Sequence, residues 1–240
     1  MKLAILADIH ANLEALEAVL IAAEEAGAER LVVLGDVVGY GPDPVACIYR
    51  LREAGATCVL GNHDQALVDG RRVRELNPLA RDAIVGSREM VGEEELDFIR
   101  TFAFRHVESG AAFAHANPVR PEDWEPLYLH HQVSWCLERL DWRAGFVGHT
   151  HYPGIYCKMD GQILPLTSSE VAIGRHRYLI NPGSVGQPRD GDWRAAFAVW
   201  DTDVDRVELR RVEYPVQRTQ AKIRELGWPE YQADRLGRGE

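Results

Sequence analysis

An α/β fold whose second half turns to β structure is what this sequence predicts, and three observations predict it. The chain opens in a strand–helix–strand pattern. Five apolar runs each end in a residue type that binds metal ions. After His151 the helical pattern gives way to strands and tight turns. Open α/β folds place ligands outside the carboxyl ends of their strands, so the second observation also locates a site.

Lys2–Ala7 is expected as the first strand, with Asn12 suited to cap the helix that follows. Leu13, Leu16, Val19, Leu20 and Ala23 give that helix an apolar stripe at helical spacing, and Gly27 ends it. Leu31–Leu34 completes a βαβ unit, for which parallel pairing and a right-handed crossover are expected. A loop spans Val37–Pro44, and a helix runs from Pro44 to about Ala54. A strand follows at Thr57–Leu60. Asn77-Pro78 has a cap and a first-turn proline in the favoured order, so a helix is predicted there, ending near Val91. Glu93-Glu94-Glu95 puts acid in the first turn of another, with Leu96, Ile99 and Phe102 as its apolar face. Residues 65 to 108 thus read as a helical cover beside the site that shapes substrate access, or else as a plain packing helix pair.

Phe104–Glu108 and Ala111–His115 form a predicted hairpin around Ser109-Gly110. A helix from about Leu129 to Leu140 carries His130 and His131, both taken as surface residues. Gly154–Met159 and Gln162–Thr167 flank Asp160-Gly161, a strong hairpin signal. Further strands are expected at Arg177–Ile180, Ala195–Trp200 and Arg206–Glu213, and this half is expected to supply a second sheet. Val216, Ile223 and Leu226 mark a last amphipathic helix, whose face can pack back or meet a second copy of the chain. The polar tail from Trp228 is expected to be loose.

The five apolar runs end at Asp8, Asp36, Asn62-His63-Asp64, His115 and His149. His10 and His151 each follow two residues after Asp8 and His149. If the runs are neighbouring strands, these groups converge on one crest. An aspartate after a strand is often only a helix cap, but a cap does not account for all five runs.

A formal net charge of −10 argues against binding a polyanion, which needs many lysine and arginine contacts to phosphate. Cys47, Cys58, Cys136 and Cys157 lack paired spacing and suit reduced thiols of a cytoplasmic protein. No signal peptide is expected, since position 1 leads directly into a strand. No apolar run approaches the roughly 20 residues that span a bilayer.

Aspartate and histidine together suit Mn, Fe, Zn, Ni or Co rather than a cysteine-rich structural zinc. The set is too large for one ion that keeps an open position. Divided, it works: Asp8, His10 and His151 can hold one ion, Asn62, His115 and His149 another, with Asp36 bridging. Two ions about 4 Å apart can share a hydroxide and clamp both oxygens of an in-line displacement at phosphorus. Two ions, two aspartates and one hydroxide leave roughly +1 at the crest, a local attractor for a phosphate ester.

Asp8-x-His10, Gly35-Asp36, Gly61-Asn62-His63-Asp64, His115 and Gly148-His149-x-His151 together resemble the motif series of the calcineurin-like metallophosphoesterases. Asn181-Pro182-Gly183-Ser184-Val185-Gly186-Gln187-Pro188-Arg189 is similar to their small bacterial and archaeal phosphodiesterase branch. The resemblance implies a four-layer αββα sandwich of two mixed sheets flanked by helices. It implies one domain over residues 1–213, with 214–240 as a C-terminal helix and tail. It also implies two divalent ions per chain, manganese foremost, with Asp36, Asn62 and His63 catalytic and His63 acting on the leaving-group oxygen rather than on metal. Asn62, His63 and Arg189 would meet a small phosphoester substrate. Relatives that act on phosphoproteins carry Asp-Arg where this chain has Gly39-Tyr40, so the acid partner of His63 and an arginine clamp are missing there. Arg189 can supply a clamp from the other side, or be no more than an exposed loop arginine. The alternatives are a protein-interaction scaffold of the same fold, disfavoured by the full ligand set, and a nuclease, disfavoured by charge.

Overall fold

A computed structural model describes Met1–Glu240 throughout. The chain begins as expected, with β1 (Lys2–Leu6), α1 (Leu13–Glu25), β2 (Arg30–Val33) and α2 (Pro44–Glu53). Asn12 caps α1, its side chain accepting the Ala15 N–H at 3.1 Å. β1 and β2 pair in parallel. β3 is only Thr57–Cys58, because the chain leaves the ladder early and opens α3 (Asn62–Val68) directly at the Asn62 motif. α4 (Pro78–Met90) and α5 (Glu93–Ile99) follow, then the hairpin of β4 (Arg105–Glu108) and β5 (Ala111–Ala114). α6 (His130–Arg139) and β6 (Ala144–Val147) come next, with His130 and His131 exposed.

The remaining elements are β7 (Gly154–Met159), β8 (Gln162–Leu166), β9 (Glu170–Ala172), β10 (Arg177–Asn181), β11 (Ala195–Asp201) and β12 (Arg206–Val212), then α7 (Val216–Glu225) and α8 (Glu230–Leu236). Two expectations are corrected here. The second half does not build a sheet of its own: the two six-stranded sheets run β3-β2-β1-β11-β12-β9 and β4-β5-β6-β10-β7-β8. β11 joins β1 antiparallel in the first sheet, while β10 pairs in parallel with β6 in the second. The crest strands are therefore divided between two sheets. The tail is not loose either; it forms α8, which buries Ala233 and Leu236.

Alternation along β1 shows the layering. Leu3, Ile5 and Ala7 face Phe113, Phe146 and Trp200 between the sheets. Ala4 and Leu6 face α1 and α2 on the outside. α6 covers the outer face of the second sheet through Val133, Cys136 and Leu137. Helices thus lie outside both sheets, as the four-layer expectation had it. All four cysteines are unpaired. No helix is long and apolar enough to cross a membrane.

Candidate active site

The crest lies along the seam between the sheets. β1 and β2 deliver Asp8, His10 and Asp36; β5 and β6 deliver His115, His149 and His151; the start of α3 delivers Asn62 and His63. Asp8, His10, Asp36, His63, His115 and His151 are buried, while Asn62 and His149 are partly open. Asp8, His10, Asp36, His149 and His151 have φ of 54, 47, 52, 66 and 64°. A side chain in that left-handed region costs about 1–2 kcal/mol, and such strain persists where the surroundings over-determine it.

Hydrogen bonds fix three of the rings. His10 Nδ1 lies 3.1 Å from Val38 O, His115 Nδ1 2.8 Å from Leu34 O, and His151 Nδ1 2.6 Å from Gln187 O. A carbonyl only accepts, so each Nδ1 carries the proton and each Nε2 of a neutral ring presents a lone pair. Yet His10 Nε2 and His151 Nε2 face each other at 3.1 Å. His115 Nε2 meets His149 Nδ1 at 2.9 Å and Asn62 Oδ1 at 3.0 Å. Asp8 accepts the His149 N–H and stands 3.6 Å from His151 Nε2. Asp36 Oδ2 lies between the two groups, 3.8 Å from His10 Nε2 and 3.4 Å from His115 Nε2. The donor atoms fall into three sets, Asp8–His10–His151, His10–Asp36–His63 and Asp36–His115–His149, each within 4.8 Å.

Burial sets the charge states. It pushes Asp36 up to about 7 and Asp8 well above the usual carboxylate range. It holds His115 down to about 4 and keeps His10, His63, His149 and His151 well below the usual imidazole value. Neutral rings with converging lone pairs and no proton between them fit a divalent cation in the manner of metal-binding imidazoles tied through their second nitrogen.

His63 stands apart. Its Nε2 is 3.9 Å from Asp36 Oδ2. Its Nδ1 is buried without a hydrogen bond and lies against Gly39, where a β-carbon would collide with it. No acid partner occupies that place, in line with the sequence. Tyr40 packs edge-on to His10 at 4.8 Å and tilted on His63 at 4.9 Å.

A cavity of about 450 Å³ opens over the crest, lined by Asp36, Asn62, His63, His149, His151 and Arg189. Gln65, Arg72, Asn77 and Ala80 line it from the expected helical cover, and Trp124 and Tyr128 from the loop before α6. Arg189 is thus brought to the site, its guanidinium bonded to Gln187 Oε1 at 2.8 Å. Sequence reasoning gave no role to Asp64, which accepts N–H bonds from Val37 (2.9 Å), Val38 (3.3 Å) and Gly61 (3.1 Å) and so ties the two crest loops together. It stood within the quoted motif, which was the available signal. Trp124 and Tyr128 lay in a proline-rich loop without periodicity, and nothing there marked them.

Two mixed sheets meeting at a crest of buried aspartates and histidines define a class, the metal-dependent phosphoester hydrolases. The chain belongs to the calcineurin-like phosphoesterase superfamily, whose domain matches residues 1–205. It is similar to the crystal structure of a metallophosphoesterase from Sphaerobacter thermophilus, with 36% identity, a TM-score of 0.88 and 100% of both chains covered. An uncharacterized protein of Methanocaldococcus jannaschii is 35% identical over 98% of this chain and 96% of its own. Serine/threonine-protein phosphatase 1 of Salmonella typhimurium is 31% identical over 51% of this chain and 62% of its own.

Proposed function

We propose that this phosphoesterase hydrolyses a small phosphodiester or phosphomonoester with two divalent ions, manganese foremost, on its crest. The observation that supports two ions is the pair of lone-pair clusters, His10–His151 and His115–His149–Asn62, with Asp36 Oδ2 within 4 Å of both. Asp8, His10 and His151 would hold one ion, Asn62, His115 and His149 the other, and Asp36 both. Bound ions of this kind lower the pKa of a water and neutralise charge on phosphate oxygens.

The chain's own groups do the rest. Arg189 binds a non-reacting phosphate oxygen. The Asn62 amide orients the ester. With Nδ1 facing Gly39, His63 presents Nε2–H to the leaving oxygen and offsets the charge that develops there. The walls from 65–80 and 123–128 restrict access, and a cavity of about 450 Å³ suits a small ester better than a folded phosphoprotein.

The test is hydrolysis of a chromogenic phosphodiester and its monoester by metal-stripped protein, then with Mn²⁺, Zn²⁺ or Ni²⁺ restored. Metal-dependent turnover is expected. His63→Gln should lower kcat by about 10²- to 10⁴-fold, and Asp36→Asn should reduce it to background. Full activity in either folded variant would overturn the assignment.

A further inference from the structure

Beside the crest cavity lies a second cavity of about 240 Å³, walled by Tyr128, Tyr152, Tyr156, Val147 and Leu179. Tyr128 lines both cavities. Thr150, also in the wall, sits between His149 and His151, so one turn serves the crest and the second cavity together. The Asn181 and Thr150 side chains in this wall are already engaged. Asn181 Nδ2 donates to Gly148 O at 3.0 Å and to Thr150 Oγ1 at 2.9 Å, while Asn181 Oδ1 accepts the Gly183 N–H at 2.8 Å. A ligand there meets mainly ring and aliphatic carbon.

Two large aromatics stand open at its mouth. Tyr128 is 49% and Tyr152 48% exposed, with rings edge to face at 6.3 Å between centroids. Such a pair leaves a ring face for a third aromatic group. Tyr128 and Arg189 line the same crest cavity. Tyr128 therefore belongs both to the cavity over the crest, which Arg189 also lines, and to the aromatic wall, so a phosphoester on the crest has its substituent beside that wall.

We infer that the tyrosine-walled cavity seats a flat aromatic substituent of the phosphoester, which makes this chain selective for aryl-bearing over alkyl-bearing esters. The inference rests on the proposed hydrolysis. The buried face of the ring would be held by area and stacking, as apolar pockets hold ligands whose few polar groups only set orientation.

The experiment compares p-nitrophenyl phenyl phosphate with p-nitrophenyl methyl phosphate on the full, Mn²⁺-supplemented protein. Both release the same leaving group, and each kcat/KM is divided by the ester's uncatalysed rate. The phenyl ester should be favoured by roughly 10-fold or more, the order expected for moving a ring's surface out of water. Tyr152→Ala should bring that ratio to within about twofold of one, and Tyr152→Phe should keep it. Independently of turnover, calorimetric titration of the Mn²⁺-supplemented protein should show phenylphosphonate binding roughly 10-fold more tightly than methylphosphonate. Equal binding of phenylphosphonate and methylphosphonate, or an ester ratio above one that is unchanged in Tyr152→Ala, overturns the aromatic seat while leaving the hydrolase reading intact. No turnover of either ester with metal bound overturns the hydrolase reading itself, and the aromatic seat with it.

Discussion

At Asp36 a proton and a bound cation would compete for the same oxygens. Burial raises this carboxyl to about 7, so in the metal-free protein it is largely protonated below that pH. The crest histidines are held below their ordinary value and stay neutral near pH 7, so they do not oppose uptake there. Affinity for Mn²⁺ should therefore rise from pH 6 to pH 8, with proton release on binding, by up to about tenfold per pH unit below 7 for one displaced proton. Calorimetric titration of stripped protein at both pH values measures it; a flat profile would show Asp36 already ionised. Asp64 does different work nearby. It is fully buried and holds three backbone N–H groups. Asp64→Asn turns an amide NH₂ toward one of them and should cost about 1–3 kcal/mol in urea unfolding of the metal-free chain. An unchanged midpoint would mean that the crest loops are held elsewhere.

Among the elements, those with a local signal were legible. Asn12, Asn77-Pro78, Ser109-Gly110 and Asp160-Gly161 fix their caps and turns within a few residues, and each formed where the sequence put it. β9 carried no such signal; its Glu170–Ala172 is a short edge strand whose one strand partner is β12. α8 was hidden for another reason. Its buried face includes Gln232 and Arg235, and Arg235 is buried over the Tyr40 and Tyr231 rings, so hydropathy alone reads a solvated tail. The helix nonetheless closes behind the crest, with Leu236 beside His10 and Tyr40. Leu236→Ala should destabilise the protein by about 2–5 kcal/mol in chemical denaturation. A loss below about 1 kcal/mol would make α8 peripheral.

For the whole molecule, the crest residues were readable but the partition of strands was not. An apolar run ending in aspartate looks the same in either sheet, and strand order depends on contacts far apart in sequence. β11 reaches β1 across most of the chain. If ions bind only the folded crest, a chelator should lower the melting temperature, and added Mn²⁺ at about 100 times its Kd should restore roughly 2.7 kcal/mol. Identical melting curves with and without chelator would exclude such binding. The seam has a further consequence. Asp8 and Asp36 ride on one sheet and His115 and His149 on the other, so the crest works as a vernier for their alignment. A slip of the sheets too small to alter secondary structure still parts donors that, on the proposed function, would grip one ion. A smaller side chain at Phe113 or Trp200, deep between the sheets and remote from any ester, would be read out at the crest as weakened metal affinity.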